Sequence, residues 1–401
     1  MAYDLSDPEF LAAPGPMLER MRTEGPLVRV KIPIIGTCWL TTTDHGARAV
    51  LKNPALFARD PLIGTGKTLA QKYWFLPPFM KPLLQNMLGK DGPEHKRLRS
   101  LVDQAFNKMH TEDLRPEITA IADGLLTPLQ DRSEVEIIDT YTRRLPLLVI
   151  CVMLGIRPED RDRVAGWIAP LSDPTNALSA LKALPGLWRI TRYFRAEFAR
   201  VRQTPGSGLI TDLVQAEDEG DRLSEDELLA MVVTLFIAGH ETTVHLISMA
   251  LYLLMSDPMR RKALEDHPEQ AGLLVEECMR YVSPVMMSKP MFVQEDTVFE
   301  GISLKKGEQV AAHLIAANHD PARFDQPEDF IPDRRPNPHL GFGHGPHVCL
   351  GMQLARAEAQ VAVTRLFHHY PKARLARPDT PPQYKRRIGI HGLKRLDLRL
   401  D

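Results

Sequence analysis

Phe342-Gly343-His344-Gly345-Pro346-His347-Val348-Cys349-Leu350-Gly351 is the stretch on which the reading of this chain turns. It gathers an aromatic ring, small residues, basic side chains and one cysteine into ten positions, and a long helical pattern follows it. Small residues let a backbone approach a large planar group. A cysteine just ahead of a helix is poised as a thiolate, because the positive helix N-terminus and nearby amides stabilise S⁻. Without its neighbours the same cysteine reads equally well as a small buried hydrophobe. The spacing favours a thiolate that faces a flat cofactor.

Composition sets the frame. The chain has 401 residues, 44% hydrophobic and 25% charged, which is ordinary for a globular protein. No Gly/Ser linker, charge block, low-complexity tract or internal repeat divides it, so one domain over residues 1–401 is expected. A net charge of −1 gives no nucleic-acid footprint. The opening residues, MAYDLSDPEFLAAPGP, have neither the basic region nor the apolar region of a signal peptide, and no membrane anchor. Cys38, Cys151, Cys278 and Cys349 are scattered with no CxxC pair, which argues against a zinc site or a disulfide framework. A reducing cytoplasm suits such a chain.

A second segment carries chemistry. Ser224-x-x-Glu227 reads as a capping box, and an apolar run from Leu228 to Met255 follows, stopping before Asp257-Pro258. Apolar nearly all round and on the order of 45 Å long, it predicts a buried central helix. A membrane span of that length would hold Gly239-His240-Glu241-Thr242-Thr243 at its middle, where a carboxylate is costly. In a buried helix, that same stretch predicts a local opening or kink, with a carboxylate beside a hydroxyl. The polar groups either satisfy one another or deliver protons.

Phe-x-x-Gly-x-His-x-Cys-x-Gly, as it stands at Phe342, Gly345, His347, Cys349 and Gly351, resembles the haem-binding loop of the cytochrome P450 superfamily. Haem held by cysteine thiolate defines that family. The central helix resembles it too, with Ala238-Gly239-His240-Glu241-Thr242 standing where relatives carry Ala/Gly-Gly-x-Asp/Glu-Thr. The resemblance implies haem b (iron protoporphyrin IX) with Cys349 as its metal ligand. It places Phe342, Gly343, His347 and Gly351 around the cofactor, and Ala238 and Gly239 over its opposite face. Glu241 and Thr242 become the acid–alcohol pair that passes protons.

Further motifs fall in the same order. Glu277-x-x-Arg280 resembles the family's buried Glu-x-x-Arg, a structural pair behind the haem. His95 and Arg99 lie one helical turn apart and resemble its His-x-x-x-Arg donors to a haem propionate. His339 resembles another propionate contact. Asn318-His319-Asp320-Pro321 and Phe330 resemble the connecting segment. One departure stands out. Where many bacterial relatives carry a propionate-binding arginine after Ser-Pro-Val, this chain has Ser283-Pro284-Val285 and then Met286-Met287-Ser288-Lys289-Pro290, with Lys289 the sole nearby cation.

The implied activity is a monooxygenase that inserts one atom of O2 into a hydrophobic small molecule by hydroxylation or epoxidation. The alternatives are peroxide-driven oxidation, against which Glu241-Thr242 speaks, and a non-catalytic haem binder. No flavin, nicotinamide or Fe–S pattern is present, so electrons are expected from a ferredoxin and its NAD(P)H-dependent reductase. Lys96, Arg97 and Arg356 are candidates to steer that donor. Aromatic and flexible residues at 73–80, Leu187, Trp188, Tyr193, Phe194, Met286 and Met287 predict an apolar substrate pocket. The expected fold is mainly α with a smaller β region, its strands near Leu27–Thr41, Met291–Val310 and Gln383–Leu400.

Overall fold

The computed structural model describes residues 3–33, 35–62, 66, 68, 71, 74, 76–108, 111–168, 177–216 and 222–401. In chain order the helices are α1 (Pro8–Ala12), α2 (Gly15–Glu24), α3 (Asp44–Lys52), α4 (Gly92–Lys108), α5 (Thr111–Leu126), α6 (Arg144–Leu154), α7 (Pro158–Ile168) and α8 (Ala177–Gln203). They continue as α9 (Leu209–Gln215), α10 (Glu225–Met255), α11 (Pro258–Asp266), α12 (Ala271–Val282), α13 (Leu314–Asn318) and α14 (Met352–His369). Short strands complete the set: β1 (Leu27–Ile32), β2 (Gly36–Thr41), β3 (Phe57–Ala58), β4 (Glu134–Glu136), β5 (Met291–Val293), β6 (Thr297–Phe299), β7 (Ile302–Leu304), β8 (Gln309–Ala311), β9 (Arg374–Leu375) and β10 (Asp397–Arg399). The architecture is mainly helical with a smaller β region, as expected.

Two compact units share the chain. The first comprises Met1–Gly66, Ala122–Thr142 and Thr242–Asp401; the second comprises Lys67–Ile121 and Arg143–Glu241.

The first unit holds the main sheet, ordered β1-β2-β8-β5-β3. β1 alternates buried and exposed residues through Val28, Val30 and Ile32, so one face of Leu-Val-Arg-Val-Lys-Ile meets the core. Its pairing with β2 runs in register from Leu27↔Thr41 to Ile32↔Gly36. Met286 and Met287 are buried in the core under this sheet, with Phe10, Leu18, Val30 and Leu40. That corrects their expected place in the substrate pocket: they fill irregular space beneath the N-terminal helices. Near Gln383–Leu400 only Asp397–Arg399 forms a strand, joined by isolated bridges such as Tyr384↔Leu393.

α12 is fastened at its C-terminus, where four carbonyls lack partners inside the helix. Ser283, in the left-handed region at φ 48°, donates from its N–H to Met279 O (3.2 Å) and from Oγ to Arg280 O (3.0 Å). His319 Nε2 donates to Tyr281 O (2.9 Å) and His391 Nδ1 to Val282 O (2.6 Å). All four orphans are satisfied, two by Ser283 directly after the helix and two by histidines from distant sequence, which fixes the helix that carries Glu276, Glu277 and Arg280.

α14 contains a buried carboxyl group. Glu358 is 2% exposed, its Oε2 finds no partner among the described residues, and burial pushes its pKa well above the ordinary carboxylate range. The folded state then holds a proton that the unfolded chain releases above pH ~4.5, so this group lowers stability as pH rises from that point. Glu358→Gln should therefore be more stable than wild type at pH 8, with the difference vanishing near pH 4. Urea unfolding across that range checks it; a pH-independent difference contradicts the assignment.

In the second unit, α8 packs along α7 and α9. Phe194 is fully buried and stacks on Phe198 at 6.4 Å, and Leu187 is also buried. Trp188 is half exposed, with Arg192 over its ring. The aromatic stretch of α8 thus divides between core and surface by helical phase. Of the residues expected near 73–80, Tyr73 and Phe75 lie outside the described residues; Trp74 is exposed.

Candidate functional site

The cysteine loop belongs to the first unit. Gly343 and Gly345 take left-handed φ values of 74° and 72°. A Cβ on Gly345 would stand 2.4 Å from the Leu51 carbonyl oxygen, so this glycine is required where the loop presses on the end of α3. Cys349 N–H donates to Phe342 O at 2.9 Å, which folds the ten residues back on themselves and sets the cysteine beside the ring's residue. α14 starts at Met352, three residues past the sulfur's residue, with Gly351 as its N-cap. Its first amides carry the positive end of the helix dipole, which favours a thiolate nearby.

None of the four cysteines forms a disulfide, and only one is accessible. Cys38, Cys151 and Cys278 are fully buried. Loss of water pushes the Cys38 and Cys151 thiols up to about 12, and Cys278 is raised further still. Such thiols are inert. Cys349 is half-buried, as are Phe342, Gly343, His347, Val348 and Leu350 beside it. A Cβ on Gly351 would meet nothing within 4 Å. Among the described residues no three His, Cys, Asp or Glu side chains gather as a metal set. One accessible thiol on a half-apolar, partly open loop fits an ion whose remaining ligands come from a planar macrocycle.

A charged cluster supports the loop from behind. Glu276 on α12 accepts two hydrogen bonds from Arg356 (Nε 2.6 Å, Nη2 2.8 Å) and one from His339 Nε2 (3.1 Å). Burial alone would raise the Glu276 pKa, but these donors outweigh it and bring it to about 2. His339 Nδ1 accepts from Gly341 N–H at 3.1 Å, and the Arg356 guanidinium lies 4.6 Å over the Phe342 ring. His339 has both ring nitrogens engaged inside the chain, so it braces the loop. One expectation is corrected here. Arg356 is held between a carboxylate and an aromatic face, so it shapes the loop and is not a loose steering charge. The sequence reading missed Glu276; its one signal was a second acid directly before Glu277.

Behind this lies a denser network. Glu277 and Arg280 are fully buried and bond through two contacts of 2.8 Å. Arg280 donates its remaining protons to the carbonyls of Asn318 (2.9 Å), Pro327 (2.8 Å) and Asp329 (2.8 Å). All five guanidinium donors are thereby used. Glu277 also receives Ile331 N–H (2.9 Å), Asn337 Nδ2 (3.1 Å) and Arg334 Nε (3.1 Å). Arg334 was not foreseen; it sits in a proline-rich run whose spacing carries no helical or strand period. The pair expected as structural is therefore the centre of an Arg–Glu–Arg group that ties α12 to residues 318–337.

The long helix α10 follows the capping-box reading: Ser224 N–H donates to Glu227 Oε2 (2.8 Å) and Glu227 N–H to Ser224 Oγ (3.3 Å). Among the described residues it is the one helix long and apolar enough to cross a membrane, and most of its apolar stretch is buried in protein. Contrary to the expected opening, it runs as unbroken α-helix through Gly239–Thr243. What marks this segment is exposure. Ala238 and Gly239 are exposed and Glu241 and Thr242 are half-buried, just ahead of a continuous buried run from Thr243 to Leu251. A Cβ on Gly239 would lie 3.0 Å from Ile150 Cδ1, so glycine keeps the turn close to α6. His240 points the other way, fully buried, with Nε2 donating to Arg143 O at 3.1 Å.

On α4, His95 is buried and Arg99 Nε donates to both carboxylate oxygens of Asp103 (2.9 and 3.0 Å). Arg97, expected as a steering charge, is paired with Glu227 within the second unit. Lys96 is exposed.

A family model described as Cytochrome P450 matches residues 190–270 and 273–391. Cytochrome P450 107B1 of Saccharopolyspora erythraea is 36% identical over 95% of this chain and 93% of its own length. Mycinamicin IV hydroxylase/epoxidase of Micromonospora griseorubida is 35% identical over 98% of this chain and 96% of its own. Among solved structures, cytochrome P450 PksS of the Bacillus subtilis 168 bacillaene polyketide synthase superposes with a TM-score of 0.89 at 32% identity, covering 100% of both chains.

Proposed function

Since the chain belongs to the cytochrome P450 family and is a haem-iron oxidoreductase of the monooxygenase type, we propose that it inserts one atom of O2 into a C–H or C=C bond of a hydrophobic small molecule. The observation that carries this reading is the single accessible thiol of Cys349, set on its folded loop while the other three cysteines are buried and inert.

Cys349 would hold the haem through its thiolate, with Phe342, Gly343, His347 and Gly351 around it, and the family resemblance also assigns Ala238 and Gly239 to the cofactor. His95, with Arg99 one turn along, would meet a propionate. Bound there, haem b supplies the one-electron and oxygen chemistry that side chains lack, and a thiolate ligand favours O–O cleavage. The chain's own residues orient, exclude water and move protons. Ala238 and Gly239 keep the helix face small and apolar. Glu241, half-buried near the middle of α10, and Thr242 beside it can take protons inward, the carboxylate as acid and the hydroxyl as relay. The Glu276 cluster keeps Phe342 and the loop fixed.

We place this chain in the cytoplasm with a ferredoxin and an NAD(P)H-dependent reductase as its electron source. Thr242→Ala is expected to bind substrate and consume NADH near the wild-type rate while product per electron falls about tenfold and hydrogen peroxide rises to match. Product and peroxide are measured together in one assay. Coupling equal to wild type removes Thr242 from the relay, and turnover with hydrogen peroxide but none with the ferredoxin system favours peroxide-driven oxidation. A library of apolar compounds screened by Soret shift identifies the substrate.

A further inference from the structure

We propose that Glu276 is a positioning residue for the reduction step. It holds the Arg356 cation against the Cys349 loop and balances its charge, and so sets how readily haem iron bound to that sulfur takes up an electron. This deepens the haem reading above and rests on it.

A short chain of contacts leads from the carboxylate to the cysteine. Glu276 accepts from both Nε (2.6 Å) and Nη2 (2.8 Å) of Arg356, which fixes the plane of the guanidinium. The same guanidinium lies 4.6 Å over the Phe342 ring, and Phe342 O accepts the Cys349 N–H at 2.9 Å. The His339 ring stands 5.9 Å from the Phe342 ring. Glu276, His339, Phe342, Cys349 and Arg356 all belong to the first unit.

The charges alternate along this chain. His339 Nδ1 accepts from Gly341 N–H, so the ring's proton sits on the Nε2 that donates to Glu276, and the ring is neutral. Glu276 and Arg356 are then the charged pair behind the loop, and they cancel. Cys349 adds a negative charge in front when it is a thiolate. The Arg356 pKa is raised first by its hydrogen bond to Glu276 and then, with burial opposing, by the charges of Glu276 and Cys349. Such an interaction is mutual: Arg356 favours negative charge at the sulfur, and Glu276 offsets it.

Bracing the loop needs only the bonds, but the charges act beyond them. Reduction places one more electron on the iron and its sulfur ligand, so a nearby cation favours it and a nearby carboxylate opposes it. Both side chains are a quarter exposed, so solvent screens them only in part. Removing one member of a balanced pair therefore shifts the electron equilibrium, and the sign of the shift depends on which member is removed.

Wild type, Glu276→Gln, Arg356→Met, Arg356→Lys and the double variant Glu276→Gln/Arg356→Met are loaded with haem and titrated with dithionite in the presence of redox mediators. The ratio of ferrous to ferric iron is read from the Soret region. Glu276→Gln should raise that ratio about tenfold at a fixed potential, which is about 59 mV for a one-electron couple. Arg356→Met should lower it about as far. The double variant should return close to wild type, and Arg356→Lys, which keeps the charge without the planar fork, should stay within about twofold of it. A loosened loop moves every variant in one direction, so opposite signs separate charge from loss of shape. The proposal is overturned if Glu276→Gln and Arg356→Met shift the same way, if neither shifts by about twofold, or if Arg356→Lys follows Arg356→Met. Should Arg356→Met fail to fold, Glu276→Gln and Arg356→Lys decide between the same outcomes: the first must favour ferrous iron and the second must match wild type. A wild-type protein whose reduced carbonyl complex lacks the red-shifted Soret band defeats the underlying haem–thiolate reading instead.

Discussion

Cys349→Ala is expected to fold, to unfold at nearly the wild-type denaturant concentration, and to lose turnover by about a thousandfold or more. The thiol is half-buried on a loop whose shape comes from other contacts: Cys349 N–H to Phe342 O, Gly345 on Leu51, and Arg356 over Phe342. None of these uses the sulfur. Removing it deletes the electron donor and leaves the cradle, so stability and activity should part company. The reduced carbonyl complex provides the direct measurement. Its red-shifted Soret band should disappear in the variant, and a retained band would assign the ligand to another residue. Labelling with a thiol reagent gives a second check: of the four cysteines in haem-free protein, Cys349 should react first, because the other three are buried and held protonated.

Glu277→Ala carries the largest expected effect on stability. It leaves two guanidinium groups, Arg280 and Arg334, buried at side-chain exposures of 0% and 7% without their shared carboxylate. Breaking a buried ion pair from one side costs about 3–5 kcal/mol, because the remaining charge stays desolvated. A second guanidinium puts this site at the upper end of that range. Glu277→Gln keeps the shape and the acceptor oxygen but not the charge, and should lose less. Denaturant unfolding of the two variants at neutral pH measures the difference. If Glu277→Ala is as stable as wild type, the group contributes geometry to the loop without contributing stability.

The same two sites show how far the residues alone could be read. Cys349, its glycines and the Glu-x-x-Arg pair are legible because their chemistry depends on spacings of two to four residues, which a loop or a helical turn converts directly into proximity. Ser224 and Glu227 are legible for the same reason, and they meet as a reciprocal cap. The partners of His339 were not legible, because its sequence position near Phe342 does not tell which way the ring turns. That is set by Glu276, 63 residues away, through one hydrogen bond. Arg356 and Arg97 were likewise read as surface charge until Glu276 and Glu227 appeared opposite them. The expected opening at Gly239–Thr243 came from local propensity, and the helix remains regular because tertiary packing over 31 residues outweighs a cost of about 1 kcal/mol for one glycine.

By itself, the sequence determined the chemistry this chain can carry: one thiol ahead of a helix and an acid–alcohol pair in a long apolar helix. Those follow from residue types and short spacings, which survive without knowledge of the fold. Only the tertiary structure decided which thiol is accessible, which cations are already committed, and that Glu276, Glu277, Arg334 and Arg356 brace the loop from behind. Burial and long-range hydrogen bonding set those outcomes, and both depend on atoms far apart in the chain. Desolvation silences three cysteines and leaves Cys349 accessible.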